Sequence, residues 1–231
     1  MKLAIIGDFN PAAPTHIATN NSIEHSKSYL NLKLQADWIP TESIVENFAS
    51  ITKNYRGFLI APGSPYHSME GVLEIIKYAR VNNIPTLGTC GGFQHMVIEF
   101  ARNVLDIKDA DHAESNPYAS NLVINPLSCS LAGQALKINI TDKQSKIYKI
   151  FNSDTISENY YCNFGLNPEY QAEIDKNGFK IVGDDDSGEV RILELKGHPF
   201  FIATLFVPQI NSSFDKPNPL ILEFVSIVCG E

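Results

Sequence analysis

The run Ile84-Pro85-Thr86-Leu87-Gly88-Thr89-Cys90-Gly91-Gly92-Phe93-Gln94 constrains this chain more than any other stretch of it. A short apolar segment ends in Gly-x-Cys-x-Gly and passes straight into His95-Met96-Val97-Ile98-Glu99-Phe100-Ala101-Arg102, a helical pattern. The pattern predicts a strand, a tight turn and a helix, with a thiol at the apex of the turn. Glycines near Cys90 admit the backbone angles that such a turn demands. Backbone N–H groups and the dipole at the helix N-terminus favour a thiolate there. The N–H of Gly91 points to where an oxyanion would form. This spacing marks Cys90 as a nucleophile; the plainer reading of the same residue is a small buried thiol.

Around this turn, short apolar segments alternate with amphipathic ones. Strands are expected at Lys2–Gly7, Ala36–Ile39, Gly57–Ala61 and Ile84–Gly88. Helices are expected at Asn20–Gln35, from Ser43 through Ala49, at Met69–Val81, and from the Cys90 turn to Leu105. Ser43 and Glu46 have capping-box spacing, and Asp8–Thr19, with Pro11, Pro14 and His16, reads as a loop. Such alternation implies a parallel sheet with right-handed crossovers.

The second half changes character. Leu122–Leu127, Ala135–Ile140 and Ile147–Phe151 read as strands, and Pro168–Lys176 as a short helix ended by Asn177-Gly178. Glu189–Leu195 and Phe200–Phe206 flank Lys196-Gly197-His198-Pro199 as a hairpin, and Leu220–Val228 reads as a closing helix. Lys180–Gly183 precedes Asp184-Asp185-Asp186-Ser187-Gly188, read as a solvated loop tip, because the further ligands of a calcium loop are missing. The expected fold is α/β, an open, mostly parallel sheet flanked by helices in a flavodoxin-like three-layer arrangement. It carries an added antiparallel hairpin and forms one domain over residues 1–231.

Composition excludes several classes of function. A formal charge of -8 argues against nucleic acid as a partner. No apolar run approaches membrane length, and the start, Met1-Lys2-Leu3-Ala4-Ile5-Ile6-Gly7-Asp8, turns polar too soon for a signal peptide. Cys90, Cys129, Cys162 and Cys229 are scattered without a C-x-x-C pair, so neither a zinc site nor a disulfide framework is indicated, and a cytoplasmic location is expected. Nothing in the sequence points to a metal or an organic cofactor.

Pro62-Gly63, Glu70-Gly71, Tyr78-Ala79-Arg80, Gly88-x-Cys90-x-Gly92-x-Gln94, Ile98 to Leu105 and Asp109-Ala110 form a dense set of matches to one family. The set continues through Glu158, Asn167-Pro168-x-Tyr170, His198-Pro199-Phe200-Phe201, Phe206-x-Pro208 and Pro219-Leu220. On these residues the chain resembles the class I glutamine amidotransferases, and among them the glutaminase domain of CTP synthase. The likeness spans nearly all of the chain. The synthetase (amidoligase) domain that precedes this domain in CTP synthase is missing from the sequence, so the chain alone is not expected to make CTP.

The resemblance implies a Cys-His-Glu triad whose His and Glu stand as His-Pro-Glu after the last hairpin strand. Here that triplet reads Val207-Pro208-Gln209. Valine cannot accept a proton, and the loss of a general base typically costs roughly 10²–10⁴-fold. An arginine that holds the glutamine carboxylate in the family falls in Asn159-Tyr160-Tyr161-Cys162-Asn163-Phe164, which contains none. The family's oxyanion loop reads Gly63-Ser64-Pro65-Tyr66, so Gly63, Ser64 and Gly91 are the expected oxyanion donors, while Pro65 has no N–H to give. Gln94 and Glu114 match family residues that contact substrate.

A replacement base would have to come from the other histidines. His112, followed by Glu114, and His67, in the oxyanion loop, are the candidates. His16 ranks below them; His95 is expected to face neighbouring helices, His198 to be structural and His25 to face solvent. Cys162 is noted as a redox partner for Cys90.

The expectation is Cys90-dependent acyl transfer or amide hydrolysis, a hydrolase-type chemistry, on a substrate other than free glutamine. One alternative is a catalytically silent relative that binds a small metabolite or a partner protein. Another is a glutaminase subunit supplying ammonia to a separate synthetase. Self-association stays open.

Overall fold

The computed structural model describes residues 1–231. In chain order the elements are β1 (Lys2–Ile6), α1 (Pro14–Leu30), β2 (Gln35–Ile39), α2 (Ile44–Asn54), β3 (Gly57–Ile60), α3 (Met69–Val81), β4 (Thr86–Thr89) and α4 (Gly91–Asn103). There follow β5 (Ala110–His112), β6 (Asn121–Pro126), β7 (Ala135–Ile140), α5 (Lys146–Phe151), β8 (Thr155–Asn159), β9 (Phe164–Leu166) and α6 (Pro168–Lys176). The chain closes with β10 (Phe179–Asp184), β11 (Val190–Leu195), β12 (Phe201–Thr204) and α7 (Pro219–Cys229).

Nine strands form one sheet in the order β2-β1-β3-β4-β12-β11-β10-β7-β8. Its first five strands are parallel, as apolar runs buried on both faces require, and β3, β4 and β12 are buried at every position. From β12 onward the pairing is antiparallel. The expected hairpin of β11 and β12 is therefore the start of a four-pair antiparallel extension, and its inner strand β12 joins β4 directly.

Strands β5, β6 and β9 make a second, three-stranded sheet that packs on α4. Covered by both sheets, α4 is buried from Gly91 to Ala101, which explains a helix apolar almost all round. Its buried polar groups are matched: the Arg80 guanidinium grips the Glu99 carboxylate through two bonds of 2.8 Å.

Several local expectations give way to the structure. Helix α1 begins at Pro14, inside the expected loop, because proline costs nothing at the first helical position. It stops at Asn31, whose positive φ of 53° ends it before Gln35. Its buried face is polar by composition, with Thr19 Oγ1, Ser22 Oγ and Ser26 Oγ each bonded to a carbonyl one turn back. Those hydroxyls leave a thin, satisfied face that packs on α7.

The segment expected as a strand at Ile147–Phe151 is helix α5 instead. Ser145 Oγ caps it by accepting the Tyr148 N–H at 3.0 Å, and the Glu194 carboxylate accepts the Lys146 N–H at 2.7 Å. Ser43 makes no capping box, since its hydroxyl donates to the Pro40 carbonyl at 2.7 Å. The acidic turn is not merely solvated: Asp185 turns inward to pair with Arg191, a buried guanidinium that also meets Glu189. His25 is half-buried, bonded to Ser212 Oγ at 3.1 Å and set edge-on against Phe214.

Glu158, on β8, ties the end of the sheet to the segment that follows β12. Its buried carboxyl group accepts from Asn211 Nδ2 at 2.6 Å and from Asn218 Nδ2 at 3.1 Å, and Asn218 in turn caps α7. Burial pushes this carboxyl group up to about 7, against the pull of the two amides. In the unfolded chain the proton leaves near ~4.3. Between those values the folded state holds the extra proton, so the group's contribution falls as pH rises from about 4.3 to about 7 and is level above that. We predict that Glu158→Gln removes a stability loss on the order of 3 kcal/mol across that window. Urea unfolding of both proteins at a series of pH values checks it.

Candidate active site

Strand β4 ends at Thr89 and α4 begins at Gly91, so Cys90 alone makes the turn. Its φ of 53° and ψ of -107° lie where residues other than glycine seldom sit. The conformation is held by the Cys90 N–H, which donates to the Thr204 carbonyl of β12 at 2.8 Å. Close approach explains the glycines that follow. A Cβ on Gly91 would lie 2.8 Å from the Gly63 carbonyl oxygen, and one on Gly92 would lie 2.2 Å from that of Ile60. The loop after β3 therefore docks directly on the elbow.

The Cys90 side chain reaches a cavity of about 230 Å³. This is below the ~300–1,000 Å³ of clefts that take drug-sized ligands. Gly63 and Ser64 form one wall, Gln94 and Glu114 another, and Tyr161 to Phe164 a third. The third wall offers the pocket neutral groups only.

Cys162 of that wall is buried like Cys90. Its thiol donates to the Leu205 carbonyl at 3.4 Å. The Cys162 thiol is the largest influence on Cys90 and lowers its pKa; burial opposes it, and the N–H groups of Gly63 and Gly91 lower it further. The Glu114 carboxylate pushes the other way. The net result is a Cys90 that ionises more readily than an ordinary thiol. Cys162 shifts oppositely and holds its proton tightly, because its partner takes the charge and the site is dry. Of the pair, Cys90 is therefore the thiol that loses its proton first.

The expected oxyanion donors divide. The N–H groups of Gly63 and Gly91 act on Cys90 and lower its pKa. Ser64 turns its hydroxyl to the Glu114 carboxylate at 2.8 Å and to Gln94 Oε1 at 3.3 Å. Gln94 spans the pocket floor, donating to the Phe164 carbonyl at 3.0 Å.

The bonds of the candidate bases run away from the sulfur. His112 is buried, accepts the Glu114 N–H at Nδ1 (3.0 Å) and makes its Nε2 contact with Gln94 Oε1 at 3.1 Å. An accepting Nδ1 leaves the proton on Nε2, so the ring is neutral and its basic nitrogen is occupied. Burial, with His95 nearby, pushes it down to about 3. His67 is exposed, 3.7 Å from the Asp8 carboxylate, and lines a neighbouring cavity that Cys90 does not reach. His16 stands in that same cavity with both ring nitrogens bonded to backbone. His95 bonds the Gly91 carbonyl at 2.8 Å and stacks on Tyr66, and burial brings it to about 4. His198 also bonds backbone at both nitrogens.

Val207 is fully buried and takes no part in the cavity wall. Gln209 lies beside the elbow, donating to Thr89 Oγ1 at 3.0 Å, while its buried Oε1 has no partner. No group of three or more His, Cys, Asp or Glu side chains is placed to hold a metal ion. No helix is long and apolar enough to cross a membrane. Thr15 also lines the pocket, and the sequence carried no signal for it, since it fell in an expected loop.

Comparison with known proteins agrees with this architecture. The family model for glutamine amidotransferase class-I matches residues 16–227. CTP synthase of Campylobacter jejuni (strain 81-176) is 32% identical over 97% of this chain, and that of Sulfolobus acidocaldarius is 31% identical over 98%. In each case the match covers 45% of the relative, so the chain spans about half the length of the curated relatives it matches. Among solved structures, the glutaminase domain of Trypanosoma brucei CTPS with bound acivicin superposes with a TM-score of 0.92 at 24% identity, over 100% of this chain and 94% of that one. A glutamine amidotransferase from Thermotoga maritima gives 0.60 at 12% identity, over 99% and 93%.

The His112 bonding makes a direct prediction. Nitrogen-detected NMR should find its ring neutral, with the proton on Nε2, down to about pH 3. A ring that titrates near the ordinary ~6.5 would show that His112 is not locked to Gln94 and Glu114.

Proposed function

This chain belongs to the class I glutamine amidotransferase family, and from that premise we infer that it is a Cys90-dependent acyl transferase acting on a donor other than free glutamine. One observation carries the reading. The Cys162 thiol and the N–H groups of Gly63 and Gly91 lower the Cys90 pKa, so ionisation of the sulfur is helped without an imidazole.

In the proposed reaction the thiolate adds to a carbonyl carbon. The Gly63 and Gly91 N–H groups then transfer from sulfur to the developing oxyanion beside it. An amide would next need a proton for its departing nitrogen. The imidazole that supplies one elsewhere in the family stands here as Val207, and the Cys162 thiol holds its proton too tightly to serve. Donors that expel a stable anion, such as thioesters and aryl esters, need no such proton. They fit this site better than unactivated amides. The neutral wall from Tyr161 to Phe164 gives a donor carboxylate nothing to bind, whereas Glu114 and Gln94 remain for an amino or hydroxyl group. Without a base to activate water, the acyl-enzyme turns over slowly. Its acyl group passes more readily to a nucleophile that needs no deprotonation.

Intact-protein mass spectrometry after mixing with a small thioester tests this. Wild type is expected to acquire one acyl group on Cys90 and Cys90→Ala none. Val207→His should leave acylation in place while speeding loss of the acyl group, by up to roughly 10²-fold if the new imidazole reaches the water. Absence of Cys90-dependent acylation across thioesters, esters and amides would instead leave a silent relative that binds a metabolite or partner protein.

A further inference from the structure

The pairing of two buried thiols at one cavity has a consequence that acyl transfer does not use. We propose that Cys90 and Cys162 form a two-thiol oxidation site that a hydroperoxide converts to an intramolecular disulfide.

The geometry begins at consecutive residues after β12. The Thr204 carbonyl accepts the Cys90 N–H at 2.8 Å, and the Leu205 carbonyl faces the Cys162 sulfur at 3.4 Å. Two adjacent peptide units thus set both cysteines against the same cavity. Disulfide formation asks the two sulfurs to close to ~2.05 Å across that shared wall. The two positions also differ in the way that stepwise oxidation requires. Cys90 sits at a helix N-terminus with two N–H donors, which suits the sulfur that attacks. Cys162 is a buried, protonated neighbour, which suits the sulfur that resolves. The cavity is small, and a peroxide is smaller.

In the first step the Cys90 thiolate attacks one peroxide oxygen and the O–O bond breaks. Sulfur keeps that oxygen as a sulfenic acid, and the other oxygen leaves as hydroxide or alkoxide and takes a proton from solvent. In the second, the Cys162 sulfur attacks the Cys90 sulfur and the S–O bond breaks. The hydroxide that leaves takes the Cys162 proton and becomes water. Two electrons pass from the two sulfurs to the peroxide. The oxidised pair can no longer supply a nucleophile, yet the inference rests on the thiols alone and stands whether or not the chain transfers acyl groups.

The full-length protein, treated with one equivalent of hydrogen peroxide without denaturant and then alkylated, tests this by peptide mapping. Two of the four cysteines should be lost to alkylation, Cys90 and Cys162, joined in one cross-linked peptide pair that a thiol reductant separates. Cys129, which is exposed, and Cys229 should stay alkylatable. Cys162→Ser should stop at a sulfenic acid on Cys90 that dimedone traps, and Cys90→Ser should leave Cys162 reduced. The proposal fails if wild type accumulates Cys90 sulfenic or sulfinic acid without the cross-link. It fails equally if Cys129 or Cys229 oxidises while the buried pair stays reduced. The wild-type map decides the matter even if a variant folds poorly, and because it measures no acyl transfer its failure leaves the acylation reading untouched.

Discussion

The hydrogen bond from the Cys90 N–H to the Thr204 carbonyl, 2.8 Å long, is the constraint on which the site depends. A non-glycine residue at positive φ costs on the order of 1–3 kcal/mol and persists only where its surroundings over-determine it. Here they do. Strand β4 lies between β3 and β12, α4 is enclosed by both sheets, and the Gly63 loop packs against Gly91 with no room for a side chain. The parallel pairing of β12 with β4, Thr204 opposite Thr89, sets the carbonyl that holds the turn. The next residue, Leu205, faces Cys162. One short stretch of backbone therefore governs the strain at the nucleophile and the position of its neighbouring thiol.

Electrostatically, the site keeps its histidines neutral and eases ionisation at the Cys90 sulfur. His95 and His112 are buried and committed to backbone or amide partners, and both are held far below the ordinary imidazole range. Burial disfavours a charge on either ring, whereas at Cys90 the Cys162 thiol and the N–H groups of Gly63 and Gly91 work against the burial. The Gln209 amide bonds Thr89 beside the elbow, while its Oε1 is buried without a partner.

Much of this was legible in the sequence. The Gly-x-Cys-x-Gly turn, the buried strands β1, β3 and β4 and the helix α3 announce themselves by strong local patterns, and the family resemblance rests on the same residues. What escaped was set by tertiary contacts. The first turns of helix α1, Pro14 to Thr19, fell in an expected loop because the helix's inward face includes Thr15, Thr19, Ser22 and Ser26, and the hydroxyls of Thr19, Ser22 and Ser26 are satisfied inside the helix. Helix α5 has an apolar run that reads as a strand until Glu194, far along the chain, supplies its N-terminal acceptor. At the site, the turn at Cys90 could be named from sequence. The pairing of Cys162 with Cys90 could only be suspected, since it depends on β12 bringing the two together. The bonds that occupy His112 had no sequence signal at all.

The central claim is that Cys90 ionises readily without an imidazole because backbone N–H groups and the Cys162 thiol hold its charge. The most direct measurement is an NMR pH titration of the Cys90 Cβ in protein labelled with [3-¹³C]cysteine, with Cys129→Ser and Cys229→Ser in the background. The account predicts a Cys90 midpoint below the ordinary ~8.5 of a free thiol, moving upward in Cys162→Ala. A midpoint at or above the ordinary value, unmoved by Cys162→Ala, would contradict it.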